Sequence, residues 1–308
     1  MERRKFVSTS ALLLAALIWG FAFVTQDNAA EKVDTFTLNA IRFIIGAFVL
    51  APIIVVLAKV KNRPVFEKTK KDRKMLIKAG IFCGLFLSVA ANIQQFGIAL
   101  YPDNANTSGR SGFITALYIL IVPIIGLFFH KKVGLHIWFC VALAIVGLYV
   151  LCLSNGIGSV YLGDVVILMC AVAFSFQIIC IDYYGEYVNG LKLSCIQFLV
   201  CGIISLILMF IFEKPDISSI LSVWKDILYL AVMSSGVAYT LQIIGQQYST
   251  SPTVSSIVMS LESVFAAVGG VMFSGEHFST REIVGCLIMF TAIIIAQLPM
   301  EKLHRKKQ

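Results

Sequence analysis

Ten apolar runs, each near 20 residues, dominate the chain: 9–28, 35–58, 76–98, 107–129, 136–153, 162–183, 192–212, 224–248, 253–274 and 280–298. A run of that length crosses a bilayer as an α-helix. In lipid, backbone amides must be satisfied within a helix or a closed barrel, and these runs are far too long for barrel strands. The reading is therefore all-α: a polytopic membrane protein with ten transmembrane helices. Short connections make successive helices antiparallel. Asn62-Arg63-Pro64 and Glu213-Lys214-Pro215 are clear breaks, and no soluble domain is left over. A content of 58% hydrophobic and 14% charged residues, with mean hydropathy +0.88, could not cover a soluble surface.

The net charge of +8 points to topology rather than nucleic acid, because the bases sit in short runs beside apolar segments. The loop 59–74, KVKNRPVFEKTKKDRK, holds eight of them. Arg3, Arg4 and Lys5 precede the first span, Lys131 and Lys132 follow the fourth, and Lys302, Arg305, Lys306 and Lys307 end the chain. With ten spans all of these share one side, so both termini are expected in the cytoplasm and the protein in the cell membrane. The apolar run after MERRK continues through Val24 with no small-residue cleavage site, which reads as a retained first helix rather than a signal peptide.

The chain also repeats itself. Gln94 and Gly97 match Gln242 and Gly245 at an offset of 148, and after a shorter turn the offset falls to 144. Asn39-Ala40-Ile41-Arg42-Phe43 resembles Ser194-Cys195-Ile196-Gln197-Phe198 at an offset of 155. Five spans per half is an odd number, so the two halves, 1–155 and 156–308, enter the membrane in opposite senses. Such inverted five-helix repeats place a site where they face each other.

Ionisable groups inside spans are costly, roughly 2.5–3.5 kcal/mol at the bilayer centre, and so must face protein or water. Glu262 and Arg42 are the two that stand out. Glu262 reads either as a proton or cation site or as a structural hydrogen bond. Arg42 reads either as a carboxylate binder or as a permanent partner of a carboxylate or helix-end carbonyls. Polar and aromatic residues recur on other spans: the row Trp19, Phe23, Gln26; Asn39 beside Arg42; Asn92 beside Gln95, with Gln94 about 100° away; Gln177; and the row Tyr239, Gln242, Gln246. Each amide alone reads equally as interhelical glue, but together they suggest one wet interior. Small-residue stripes (Ser256, Ser260, Ser263, Ala267 and Gly270; Ser108, Gly112 and Thr115) are assigned mainly to packing. Trp138 and Trp224 read as interfacial anchors.

The eight cysteines all fall in apolar runs with no CxxC pair, and the four histidines form no ligand cluster, so no metal or other cofactor is expected. A membrane-embedded enzyme would need paired carboxylates, a metal cluster or a nucleophile with its base, and the spans offer one central carboxylate. A channel would need a charged ring or repeated filter loop.

Several motifs resemble the drug/metabolite transporter superfamily in its EamA-type branch. Leu17-Ile18-Trp19-Gly20-Phe21-Ala22-Phe23 resembles its opening WG motif, and Arg42-Phe43 its RF pair. Gly112-Phe113-Ile114-Thr115-Ala116-Leu117-Tyr118 followed by Val122-Pro123 is similar to one subgroup's fourth helix. Leu261 to Gly285, LESVFAAVGGVMFSGEHFSTREIVG, is similar to the family's carboxylate-proline helix ending in Gly-Glu. Ser263 stands where the family has that proline, and His130-Lys131-Lys132 where many members have Gly-Glu. The resemblance covers nearly the whole chain and implies a transporter with a central cavity between two five-helix halves.

The expected function is a secondary transporter that moves a small metabolite, an amino acid or similar zwitterion, by alternating access. Glu262 would be the group through which protons couple. The substrate-binding residues expected are Trp19, Phe23, Gln26, Asn39, Arg42, Asn92, Gln95, Tyr118, Gln177, Tyr239, Gln242 and Glu262. Export of organic cations is the alternative. The expected partners are a small-molecule substrate and the lipid bilayer, with no nucleic acid.

Overall fold

Apolar chain without water has to satisfy its amides internally, and helices are what forms. A computed structural model describes residues 2–60, 62, 64–65, 67, 69–102, 105–128, 134–152, 161–275 and 279–297. The helices are α1 (Glu2–Ala30), α2 (Thr35–Val60), α3 (Lys70–Ile98), α4 (Thr107–Phe128), α5 (Leu135–Cys152), α6 (Leu162–Gly185), α7 (Gly190–Phe212), α8 (Trp224–Tyr248), α9 (Pro252–Phe273) and α10 (Thr280–Gln297). Eight of them are long and apolar enough to cross a membrane; α5 and α10 carry the shorter apolar stretches Trp138–Gly147 and Ile283–Ala292. His130-Lys131-Lys132, Glu276, His277 and the C-terminal bases lie outside the described residues.

The ends of the helices are chemically marked. Thr69 caps α3 by accepting the Asp72 amide at 3.0 Å, and Asn189 caps α7 by accepting the Lys192 amide at 3.2 Å. Asp164 closes the start of α6, accepting the Tyr161 amide at 2.8 Å and pairing with Arg110 at 2.6 Å. Between α7 and α8 the exposed Asp216 caps a short turn, Ile217–Ser222. The Ser218 hydroxyl, with the amide and hydroxyl of Ser219, holds its carboxyl down to about 2.

Helices of the first half pack chiefly on helices of the second. The α2–α7 and α3–α6 pairs are the most extensive, and α5 lies along α10. α1 packs on α8 and α9, and α2 also on α8; α3 packs also on α7, and α4 on α6. Two groups result, α1, α2, α8 and α9 against α3, α4, α6 and α7, which meet along α2–α7 and α4–α9. The outer faces leave large apolar side chains such as Phe48, Phe210 and Phe212 exposed. In water that would be a sticky surface; against lipid it is a matched one.

Between helices in lipid, packing replaces the hydrophobic effect, so close approach matters. A Cβ added at Gly97 would lie 2.6 Å from Ile167 Cγ1, and one added at Gly245 would lie 2.6 Å from Leu12 Cγ. Gly97 and Gly245 are 148 apart, and Leu12 and Ile167 are 155 apart. The α3–α6 seam and the α8–α1 seam therefore meet at corresponding positions.

Three helices depart from the continuous rods that their apolar runs predict. α4 breaks at Ala116-Leu117 and α9 at Ser260-Leu261, positions 144 apart. No proline stands at either break. In α9, Ser256, Ser260 and Ser263 each turn their hydroxyl back onto a carbonyl three residues earlier, at 2.8, 2.8 and 2.6 Å. Such back-bonding competes with the helix ladder and bends it. In α8, Leu230–Tyr239 is wound as π-helix, a wider turn that often marks function.

Candidate functional site

The two breaks and the wide turn converge on one cavity. It is lined by Trp19, Phe23 and Gln26 of α1, Arg42 of α2, Gln94 of α3, Thr115 and Tyr118 of α4, Phe174 and Ile178 of α6, Ser234, Tyr239 and Gln242 of α8, and Met259 and Glu262 of α9. Its volume is about 460 Å³, the open mouth included. Tyr118 and Glu262 are each the first residue of the second half-helix beyond a break.

The charged groups in this wall are buried and under-used. Arg42 is 2% exposed and donates from Nη1 to Gln26 Oε1 at 3.0 Å. Its guanidinium lies 4.6 Å from the Phe43 ring centre, a cation–π distance. Glu262 is 4% exposed. Among the described residues, Arg42 Nε, Tyr118 Oη and Glu262 Oε1 are buried without a hydrogen-bond partner of ordinary geometry. The Tyr118 and Glu262 side chains are nonetheless close enough to interact electrostatically. Buried polar atoms are nearly always satisfied; these three belong to residues that line the cavity, while others, such as Gln197 Nε2 and Oε1, lie outside it.

The aromatic wall is built around Tyr239. Trp19 and Phe198 meet it edge-on, at 4.7 and 5.8 Å between ring centres, and Phe43 lies tilted against it at 6.0 Å. The Trp19 indole N–H donates to the Ser234 carbonyl at 3.3 Å, inside the π-wound segment, which joins α1 to α8.

Eight of the twelve residues singled out in the sequence line this cavity: Trp19, Phe23, Gln26, Arg42, Tyr118, Tyr239, Gln242 and Glu262. The other four stand outside the wall, and their amide N–H groups donate to carbonyls or side chains nearby, although Asn39 Oδ1 and Gln95 Oε1 are buried without a partner. Asn39 Nδ2 donates to the Ala91 carbonyl and Asn92 Oδ1, at 3.1 and 2.9 Å. Asn92 Nδ2 donates to the Ser88 carbonyl and Ser205 Oγ, at 2.8 and 2.9 Å. Gln95 donates to the Gln26 carbonyl at 3.1 Å. Gln177 and Gln242 exchange amide bonds at 3.4 and 3.1 Å, with Gln242 on the wall and Gln177 behind it. Gln246, in the same row, is turned to the Ile178 carbonyl at 3.0 Å.

Six lining residues escaped the sequence reading as site candidates: Gln94, Thr115, Phe174, Ile178, Ser234 and Met259. A signal for most of them existed. Trp19 and Phe23 become Phe174 and Ile178 at an offset of 155, Gln242 becomes Gln94 at 148, and Thr115 becomes Met259 at 144. The same offsets send Arg42 to Gln197 and Glu262 to Tyr118, so each half supplies one ionisable group where the other has a neutral one.

The profile of the EamA-like transporter family matches the chain twice, over residues 8–153 and 161–297. The chain belongs to the EamA-like transporter family. This EamA-like transporter is 27% identical over 297 residues to an uncharacterized transporter of Archaeoglobus fulgidus, covering 96% of this chain and 87% of the relative. It is 25% identical over 297 residues to one of Clostridium kluyveri, covering 92% of this chain and 91% of the relative. A protein crystal structure superposes with a TM-score of 0.73 at 17% identity, over 96% of this chain and 98% of the other, a likeness of fold. The EamA-like transporter is thus a multi-pass membrane protein that acts on a small-molecule substrate in a lipid bilayer, and its family and relatives are those of transporters, not of enzymes.

Proposed function

We propose that the protein is a secondary transporter of the cell membrane that carries a small zwitterion, an amino acid or similar metabolite, by alternating access. One observation carries the reading: Arg42 and Glu262, from opposite halves of the chain, are buried in one aromatic-walled cavity, each with a polar atom left unmet by the protein. A substrate carboxylate would bind the Arg42 guanidinium, its ammonium group would sit at Glu262, and its carbon skeleton would lie against Trp19, Phe174 and Tyr239. Glu262 is the sole acid among the lining residues and would be the group on which a proton gradient acts.

The architecture behind this reading is ten spans in two inverted five-helix repeats, 1–155 and 156–308, with both termini cytoplasmic. The double match to the family profile supports the division into two repeats. So do the corresponding Gly97–Ile167 and Gly245–Leu12 seams and the corresponding breaks in α4 and α9. Inverted repeats give two equivalent packings, one open to each side.

Export of organic cations is the second reading, favoured by the aromatic side chains Trp19, Tyr118 and Tyr239 sharing the cavity with Glu262. The test is a thermal-shift screen of purified protein against amino acids and against quaternary ammonium compounds, followed by flux of the hits in proteoliposomes. Zwitterion hits abolished by Arg42→Ala support the first reading. Cation hits indifferent to Arg42→Ala replace it with the second.

A further inference from the structure

The α2–α7 pair is fastened at both ends by a carboxylate. Glu213 immediately follows α7 and sits on the first turn of α2. Its Oε1 accepts the Phe36 amide at 2.7 Å, and its Oε2 accepts the Thr37 amide at 2.7 Å and the Thr37 hydroxyl at 2.8 Å. An anion there also meets the positive end of the helix. At the other end Glu67, in the connection after α2, meets Lys192 Nζ at 2.7 Å in the first turn of α7. Thr37 and Lys192 are 155 apart, the offset that relates α2 to α7. Those two positions are thus counterparts, while the carboxylates are not, since the same offset takes Glu213 to Ala58; the helical rise from Lys192 to the end of α7 spans roughly 30 Å, about a bilayer's thickness.

The placement of the two matters because α2 packs with α8, whereas α7 packs with α3. A cavity between the two helix groups can open at one face only if the groups part at that face. We propose that Glu213 and Glu67–Lys192 are the two latches of the transport cycle, each released when the cavity opens at its own face while the other holds. The proposal rests on the alternating-access reading. The latches are unequal. Glu213 makes three charge-assisted bonds, whereas Glu67–Lys192 is one partly exposed ion pair, a kind worth little. The face bearing Glu67 is therefore the one that opens more readily at rest.

The test uses the full chain with Ser234→Cys, a small change in the cavity wall. It is labelled with a membrane-impermeant sulfonated maleimide in vesicles of either orientation and read at residue 234 by peptide mass spectrometry. The parent should label faster from the Glu67 face. Glu213→Ala should raise labelling from the Glu213 face at least fivefold and lower it from the other; Lys192→Ala should do the reverse. The swap Glu67→Lys with Lys192→Glu should restore the parent pattern. Should Glu213→Ala fail to fold, Glu213→Gln, which keeps an acceptor oxygen, must shift labelling in the same direction. No shift in any variant, or equal shifts at both faces, overturns the latches. Labelling from one face alone in the parent and every variant overturns alternating access itself.

Discussion

The Arg42 guanidinium donates to Gln26 Oε1 at 3.0 Å, and the two side chains share one wall of the cavity. A neutral amide satisfies one N–H of a buried cation without neutralising it. That leaves the positive charge available to an incoming anion, which a carboxylate partner would not.

Arg42→Ala should therefore cost more than Gln26→Leu. A hydrogen bond to a charged group contributes about 1.5–3 kcal/mol, so loss of Arg42 should weaken binding of a carboxylate-bearing substrate roughly tenfold to a hundredfold. Gln26→Leu leaves the charge in place and should weaken it by less than tenfold. Isothermal titration of both variants with the first ligand found by thermal shift checks the order.

Glu262→Gln should remove any dependence of transport on a proton gradient while leaving exchange of substrate for substrate intact. The measurement is uptake in proteoliposomes with and without an imposed pH difference. A variant that still responds to the gradient as the parent does would show that protons act elsewhere.

Gly97→Ala and Gly245→Ala should each destabilise the fold, by about 1–3 kcal/mol, because the new methyl overlaps Ile167 or Leu12. Thermal unfolding in detergent should show similar losses for both, since the seams correspond. A loss confined to one of them would mean that the seams are packed unequally.

Gln177 and Gln242 form a reciprocal amide pair behind and on the wall. Either Gln→Leu change should cost about 0.6–2 kcal/mol, the range for interhelical polar contacts in membranes. The double change should cost less than the sum of the two, because it leaves no orphaned amide. A double-mutant cycle by chemical denaturation measures the coupling.

Much of the fold could be read directly, because a 20-residue apolar run in lipid has few choices. The offset linking Gln94 to Gln242 showed that the chain repeats, and intramembrane charge drew attention to Arg42 and Glu262. The breaks in α4 and α9 could not be read, since no proline announces them. In α9 serine hydroxyls bond back onto the helix around the break, and serine in an apolar span looks the same whether it does so or packs against a neighbour. The π turn of α8 has no local signature in LAVMSSGVAY either. Asn39, Asn92, Gln95 and Gln177 look like cavity residues in the sequence because an amide in a span has two uses, and helical phase alone does not separate them. Phe174 and Ile178 are silent for the opposite reason: an apolar side chain gives no hint whether lipid or a cavity lies beyond it.

The indole of Trp19 is fixed by its bond to the Ser234 carbonyl and touches Tyr239. The chain has only two other tryptophans; Trp224 is exposed at the start of α8, and Trp138 sits in α5, away from the cavity. The cavity thus comes with a built-in fluorophore. Replacing Trp138 and Trp224 by phenylalanine would leave an emission whose wavelength tracks the wetting of that chamber alone, so that occupancy could be followed optically without any attached dye.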